Sequence, residues 1–488
     1  MVKNNLFRSP VVAILGHVDH GKTTLLDFIR KSRIAEKEYG AITQRIGAYE
    51  IITPFKEYKT NKITFIDTPG HEAFSKLRLR GASVADIALL IIDAKDSVMP
   101  QTIESISHIQ AAKIPFIVVI NKIDLPDADP NQVKNDLLKY KVVVEEKGGK
   151  TPAVNISAKT GQGINELLEL ILLISSELDL QWNPENNLKA VIIENKKDKR
   201  GIVVSVIVKD GVLFTGQNIF VDKNQFKIKQ IINDLGLPIK KATPSSPVEI
   251  LGVNQFPEVG TTISDQIVEI KKTSPIEKKT GIKKLSLTAI LTQPKKEKKL
   301  NIILKTDNFG SLETIISSLK NKDNVEIILA SIGNIHRSDV FLAKTTKSII
   351  IGFNTTPDPE IKELAKQEKI LIKTYYTIYD LIEELDEVLE GIKTKEEMEK
   401  NILGEARILA NFIINKEKIF GIRVTKGKIV LGKEIYLFRN EKPIGKTKIV
   451  SLKIHAKMVE EVKKNEEAGI IIFPLLDIQI GDVIKYIL

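Results

Sequence analysis

Two glycines, two histidines, an aspartate, a lysine and two threonines crowd into nine residues, Gly16-His17-Val18-Asp19-His20-Gly21-Lys22-Thr23-Thr24, of a chain that has only six histidines. An apolar β-type run, Val11 to Leu15, precedes them, and Leu25-Leu26-Asp27-Phe28-Ile29 follows with helical character. Glycine, four residues, then Gly-Lys-Thr between a strand and a helix is the pattern of a phosphate-binding loop. Gly16 and Gly21 permit the backbone angles that turn successive N–H groups inward, and a helix starting near Lys22 adds its positive end. In this reading Lys22 reaches the terminal phosphates and the Thr23 hydroxyl holds Mg²⁺. The loop as a whole, with Asp19, His20 and Thr24, is expected to surround the phosphates.

Later residues state which base such a nucleotide carries. Lys62-Ile63-Thr64-Phe65-Ile66 alternates like a strand and ends in Asp67-Thr68-Pro69-Gly70. Asp67 would order Mg²⁺ through water, and Gly70 would donate its N–H to a γ-phosphate. A buried-strand run, Pro115 to Ile120, delivers Asn121-Lys122-Ile123-Asp124. The two oxygens of Asp124 match the N1–H and N2–H₂ donors of guanine, a pair that adenine lacks. Val154-Asn155-Ile156 then leads into Ser157-Ala158-Lys159, whose backbone is placed to contact the base oxygen. Singly, each tetrapeptide reads as turn chemistry. In this order, each behind a strand, they spell a guanine-nucleotide domain using GTP or GDP with Mg²⁺. Between the first two motifs, Gly40 to Gln44 lacks periodicity and suits a loop that orders when Thr43 joins Mg²⁺ and the γ-phosphate. His71, directly after Gly70, stands where a residue must orient the attacking water, and it is taken as the catalytic group.

The elements that must position these residues occupy only the first third of the chain. At 488 residues the chain has length for roughly three or four domains. It contains no cysteine, which excludes disulfides, thiolate metal sites and thiol catalysis. No apolar run approaches a membrane span, so no membrane partner is expected. A net charge of +11 and a pI near 9.2 suit a polyanion such as RNA, although the Lys, Ile and Asn bias is also what an A+T-rich genome writes onto exposed positions.

Composition divides the chain into a P-loop GTPase domain at 1–180, a β-barrel at 181–270, a charged linker at 271–284, a parallel α/β domain at 285–378, a helical linker at 379–404 and a C-terminal β-barrel at 405–488. The whole is multidomain, α/β plus β. The first barrel is read from alternating runs such as Ile202 to Val208 broken by glycine and proline. The α/β domain is read from a strand at Asn301 to Lys305, a turn at Asn308 to Ser311, a helix through Leu319, and strands at Glu326 to Ser331 and Ser348 to Phe353. A break is expected near Gly391 in the helical linker.

GHVDHGKTT, GAITQRIGAY, DTPGHEAF, NKID and SAKTGQG resemble the translational GTPases, and the ITQ-IGAY segment is similar to bacterial or organellar initiation factors of the factor 2 family. DKRGIVVSVIVKDGVLFTGQ, KTDNFGSLETI and IIIGFN resemble that family's second and third domains, with Lys199-Arg200-Gly201-Ile202 standing where the family more often has Gly-Arg-Gly-Pro. Histidines 17 and 20 are then family signature that shapes the loop. The resemblance implies a monomeric, ribosome-activated GTPase. Its expected partners are formylmethionyl initiator tRNA, ribosomal RNA, and the small and large ribosomal subunits, whose joining it promotes. Alternatives are a GTPase of elongation or ribosome biogenesis, or a regulatory switch that only docks proteins. For the last barrel the resemblance implies recognition of the formylmethionyl end, with Lys453, Glu467 and Gly469 at matching positions. Ile454, His455 and Ala456 stand where bacterial members tend to have Arg, Tyr and Lys, and Ile422 and Ala468 where many have Cys. The lean start, the compositional bias and the lack of a transit-like leader point to a plastid-encoded factor of the chloroplast stroma, with a bacterial cytoplasm as the alternative.

Overall fold

The structure, a computed structural model, describes residues 6–30, 47–70, 72–222, 224–266, 299–320, 322, 324–400, 402–414, 417–439, 442–455 and 457–487. Thr43, His71, Ala456 and the expected linker 271–284 lie outside the described residues. The chain forms two compact units, residues 1–381 and 382–488.

In the first unit six strands make the sheet that carries the nucleotide motifs: β1 (Val11–Gly16), β2 (Gly47–Ile52), β3 (Lys62–Asp67), β4 (Ile87–Asp93), β5 (Phe116–Asn121) and β6 (Ala153–Asn155). Their order is β2-β3-β1-β4-β5-β6, parallel throughout except for the edge strand β2. The helices are α1 (Lys22–Arg30), α2 (Ser75–Val84), α3 (Pro100–Ala112), α4 (Pro130–Leu138) and α5 (Ile164–Glu177). β1 is a continuous apolar run because it is covered on both faces, as parallel strands are. Val12 and Ile14 pack with Leu25 of α1 and Ile171 of α5, whereas Leu15 belongs with Ile106 of α3 and Val133 of α4. Every connection leaving the carboxyl end of a parallel strand therefore opens on one rim, which is where α/β sheets bind ligands. Beyond α5 the chain returns to this domain once more, since Gln181–Trp182 pairs antiparallel with Leu6–Phe7.

The next region is an antiparallel eight-stranded sheet, with Lys189–Asp198 and Gly201–Asp210 as its longest pair. It wraps one core made of Ala190, Val206, Ile219, Ile231, Ile250 and Ile263. Its ladder does not close on itself among the described strands, so it is an open barrel. Buried ion pairing fastens this region to the GTP-binding fold. Arg8 grips Asp86 through two bonds of 2.6 and 2.7 Å, Lys209 of the barrel adds a third at 3.1 Å, and the Val11 N–H a fourth at 2.8 Å. Ser245 of the barrel donates to the Ser9 carbonyl and accepts from Thr64 through its own carbonyl at 2.7 Å.

A parallel sheet follows, in the order Val325–Ile332, Leu300–Thr306, Ile349–Phe353, Ile372–Tyr375, with helices α6 (Phe309–Lys320), α7 (Arg337–Thr346) and α8 (Pro359–Gln367). The last helix and strand of this layer were not legible as elements in the sequence. Gly310 is not a turn residue: α6 already begins at Phe309, and Asn308 caps it by accepting the Ser311 N–H at 2.8 Å. The expected break near Gly391 is also corrected, because α9 (Ile378–Lys400) runs through it. A glycine inside a helix costs about 1 kcal/mol relative to alanine, and the buried row Leu381, Leu385, Leu389 at helical spacing offsets that cost.

The second unit ends in a closed barrel whose first strand starts at Ile402, inside the stretch assigned to the linker. Ile402–Ile414 pairs with both Val483–Ile487 and Glu417–Val430, completing the ring through Glu434–Arg439, Lys442–Ile454 and Glu467–Phe473. No described helix is long and apolar enough to cross a membrane.

Asp86 provides a test of the fastening. Burial alone would raise its pKa, but the Arg8 bond, the Lys209 charge and the Val11 N–H outweigh burial and hold it below the usual aspartate value. A carboxyl depressed in the folded state contributes stability above its unfolded pKa and loses it as pH falls through the folded one. Asp86→Ala should cost about 3–5 kcal/mol in urea unfolding at neutral pH, the range for stranding buried charges. Asp86→Asn should flatten the acid limb of the stability profile below pH 4, and an unchanged limb would refute the assignment.

Candidate functional site

The loop from Gly16 to Gly21 leaves β1 and delivers Lys22, Thr23 and Thr24 into the first turn of α1. Gly16 (φ 147°) and Gly21 (φ 86°) adopt left-handed angles, and Asp19 (φ 63°) adopts one without being glycine. Space makes the same demand, since a Cβ on Gly16 would stand 2.4 Å from the Ile91 carbonyl oxygen and one on Gly21 only 2.3 Å from Asn121 Nδ2. Lys22 is buried and folds back over the loop, donating to the carbonyls of Gly16 at 3.0 Å and of His17. Burial pulls its pKa down to about 8; Asp67 opposes that fall and Arg78 adds to it.

The two histidines gain a physical role that spacing did not supply. His20 is fully buried and its Nδ1 lies 3.2 Å from the Asp93 N–H at the end of β4. Burial, then His17 and Lys22, push its pKa down to about 3, so the ring is neutral, with Nδ1 set between the Asp93 N–H and the Ile91 carbonyl at 3.4 Å. His17 packs beside it with ring centroids 5.0 Å apart and is likewise shifted down by burial and Lys22. His20 thus pins the loop to the neighbouring strand. The loop is pinned again at Val18, whose N–H donates to Gln101 Oε1 of α3 at 3.0 Å.

Asn121, at the end of β5, gathers the base side to the phosphate side. Its Nδ2 donates to the His20 carbonyl at 2.9 Å and its Oδ1 accepts the Ala158 N–H at 2.9 Å. Lys122, at φ 64°, is paired with Asp93 at 2.5 Å. Asp124 lies exposed at the rim, where the Ser157 hydroxyl donates to its Oδ1 at 2.7 Å and fixes the carboxylate plane. Ser157 and Ala158 are buried and Lys159 is exposed beside them. The Asp124 carboxylate, held by Ser157, is an exposed acceptor on the same rim as the loop that Asn121 ties to Ala158.

Asp67 ends β3 next to β1, in register with Ile14, and Thr68 donates to the Ile14 carbonyl at 2.6 Å. Gly70 lies against the loop: a Cβ there would stand 2.4 Å from Lys22 Nζ and 3.1 Å from Val18 Cα. Thr23 and Asp67 supply the hydroxyl and carboxylate that a hard cation takes alongside phosphate oxygens, so the residues present fit Mg²⁺. Asp93, Gln101, Arg78 and Glu104 were not read from the sequence as site residues. Asp93 could have been, because it ends the parallel strand beside β1 as Asp67 does. A cleft of about 600 Å³ opens beside Asp67, Tyr49 and Glu249, but none of the loop or base-side residues lines it.

In the barrel of the second unit, Lys453, Gly469 and Gly421 are neighbours across three strands, and Glu467 lies opposite Arg423 two residues away. Lys453 and Glu467 are exposed. Ile422 and Ala468 face one another in register and are both buried in the core. Those two departures from the family pattern are therefore exchanges of core residues. Ile454 is half-buried, and His455 is exposed at φ 45°.

The fold and this rim define a P-loop, guanine-nucleotide-binding domain of the translational class, and residues 8–176 match the elongation factor Tu GTP binding domain. Residues 187–266 match elongation factor G domain 2, and residues 276–386 match translation-initiation factor 2. Over 98% of its length the chain is 42% identical to translation initiation factor IF-2 of Aquifex aeolicus (strain VF5), of Geobacillus sp. (strain WCH70) and of Thermotoga sp. (strain RQ2). It spans 61%, 67% and 71% of those proteins. The chain belongs to the translation-initiation factor 2 family.

The depressed Lys22 predicts a pH dependence of nucleotide binding. The ammonium is the form that meets phosphate, and the nucleotide-free protein loses it above pH 8, so binding there must take up a proton. The Kd for GDP should be flat below pH 8 and then rise, approaching about tenfold per pH unit, below the pH at which guanine itself ionises. A Kd that stays flat to pH 9 would contradict the assigned burial of Lys22.

Proposed function

We propose that the chain is a GTPase of translation initiation. It places formylmethionyl initiator tRNA on the small ribosomal subunit, promotes joining of the large subunit, and hydrolyses GTP on ribosome contact. The observation that carries this reading is the pairing of an Asn121-locked nucleotide rim with identity to initiation factors along 98% of the chain. The loop residues Gly16, Asp19, His20, Gly21, Lys22, Thr23 and Thr24 surround the phosphates; Asp124, with Ser157, Ala158 and Lys159, reads guanine; Asn121 and Lys122 hold the loops. Thr23, Thr43 and, through water, Asp67 would hold Mg²⁺, which would neutralise phosphate charge. His71 orients the attacking water. The protein works as a monomer in the chloroplast stroma, a reading supported by the Lys, Ile and Asn bias, with a bacterial cytoplasm as the alternative. Locating the coding sequence on a plastid genome or a bacterial chromosome decides between them.

The test is GTP hydrolysis with and without ribosomes and initiator tRNA. Stimulation by ribosomes is expected, with His71→Ala reducing it by orders of magnitude while GTP affinity stays near that of the parent. Ribosome-independent turnover would favour a regulatory switch. Asp124→Asn replaces an acceptor by a donor and should weaken GTP while improving the match to xanthosine triphosphate; charge-assisted bonds of this kind contribute about 1.5–3 kcal/mol each. Equal GTP affinity of variant and parent would remove Asp124 from the base site.

For the last barrel we assign the initiator end to the exposed Lys453, Glu467 and the backbone at Gly469. With Ile454 and Ala456 in place of family cations and His455 in place of an aromatic, the grip on tRNA should be weak and only shallowly salt-dependent. The full chain should protect formylmethionyl-tRNA from deacylation better than methionyl-tRNA. Equal protection of the two would overturn the assignment.

A further inference from the structure

Helix α2 begins five residues after Gly70, and its Arg78 turns into the protein, where its side chain has no exposed surface. A guanidinium is strongly disfavoured in such a place unless its donors are used. Nη1 donates to the carbonyls of Pro69 at 3.2 Å and Gly70 at 3.1 Å, and Nη2 donates to Glu104 Oε2 of α3 at 2.5 Å. Glu104 is held in turn: its Oε1 is 3.1 Å from His108 Nε2, which lies 3.3 Å from the Ser75 hydroxyl. Burial would raise the Glu104 pKa, but bonds from Ser75, the Arg78 charge and His108 bring it below the usual glutamate value, so an anion faces the guanidinium.

The direction of this grip matters more than its strength. Phe473-Pro474 is the only cis peptide among the described residues, so the peptide between Pro69 and Gly70 is trans, and its N–H points opposite to its C=O. Arg78 draws the Pro69 carbonyl toward α2 and α3. The Gly70 N–H is thereby turned away from α2 and α3, and the Cα of Gly70 stands close enough to the phosphate loop that a Cβ on it would meet Lys22 Nζ and Val18. We propose that Arg78, anchored by Glu104, is a positioning residue for the γ-phosphate: it aims the Gly70 N–H at the terminal phosphate and so separates GTP from GDP. The inference rests on the GTPase reading above and assigns the residue that sets its nucleotide discrimination.

The test uses the full chain and compares equilibrium affinities for GDP and a non-hydrolysable GTP analogue in the parent, Arg78→Lys and Glu104→Gln. Lysine keeps the charge but cannot span two carbonyls and a carboxylate. The analogue should weaken by about tenfold, the effect of losing one charge-assisted hydrogen bond, while GDP stays within about twofold. Retained GDP binding shows that the variant is folded, which a merely structural role for Arg78 would not combine with selective loss. Glu104→Gln preserves shape, removes the anchor's charge, and should shift the same ratio in the same direction by about threefold. If Arg78→Lys does not fold, Glu104→Gln alone decides. Equal weakening of both nucleotides, or no weakening of the analogue, overturns the proposal. A parent that binds neither nucleotide would instead sink the GTPase reading, and it would do so before any substitution was made.

Discussion

One side chain holds the nucleotide rim together. Asn121 donates to the His20 carbonyl of the phosphate loop and accepts from the Ala158 N–H of the base loop, so two connections far apart in the chain meet at a single amide. Both groups it satisfies are backbone groups that would otherwise be buried without partners, which makes the pair costly to lose. Its proximity also dictates Gly21, because any side chain there would collide with the amide at 2.3 Å. The glycine of the phosphate loop is thus required by a residue of a different motif as well as by its own backbone angle.

The charges of the rim follow from that closure. Lys22 is buried because the loop is packed shut against β4 and α3, and burial lowers its proton affinity until its own loop carbonyls and Asp67 are its main compensation. His20 is buried by the same closure and stays neutral, which lets it accept from Asp93. Asp93 therefore serves His20 through its N–H, and Lys122 and the Lys95 N–H through its carboxylate. A neutral histidine does not compete with Lys22 for the phosphates. That is a physical reason for an imidazole behind the loop, where a permanently charged residue would either repel Lys22 or pair with it.

Much of this was legible in the sequence because it is written in local patterns. Val11 to Leu15 as a buried strand, Gly16 and Gly21 as loop glycines, and Asn121 and Asp124 after a strand all follow from spacing and donor chemistry. The parallel third region and the terminal barrel were readable from periodicity for the same reason. What escaped was non-local. Arg78 is one of three cations on α2, of which Lys76 is exposed and Arg80 pairs with Glu313, and Glu104 is the one carboxylate of α3; nothing in the local pattern says that Arg78 and Glu104 meet. Gly310 looked like a turn because glycine is common there, yet it sits inside α6 where Leu77 and Glu194 leave no room for a Cβ, at 3.0 and 2.8 Å. Gly391 looked like a break, but the packing of Leu381, Leu385 and Leu389 overrides its propensity.

The helix that follows Gly70 is anchored on two sides, and this restricts how the rim can respond to a phosphate. Inward, Arg78 ties it to the Pro69 and Gly70 carbonyls and to α3. Outward, Lys76 and Arg80 pair with Glu313 of α6 at 2.9 and 3.2 Å, and Leu77 packs against Gly310. Glu194 of the open barrel completes this joint by accepting the Asn195 and Gly310 N–H groups at 2.8 and 3.3 Å. Burial raises its pKa to about 7, more than those bonds and the Arg80 charge can offset. A Gly70 displacement that kept the Arg78 bonds would have to move α2, and α2 cannot move without either carrying α6 or breaking the Glu313 pairs. The Lys76 pair is exposed and weak and the Arg80 pair is only partly buried, whereas the Arg78 side chain is wholly enclosed. The compliant side of α2 is therefore the one that faces the third region, and the stiff side is the one that faces the nucleotide.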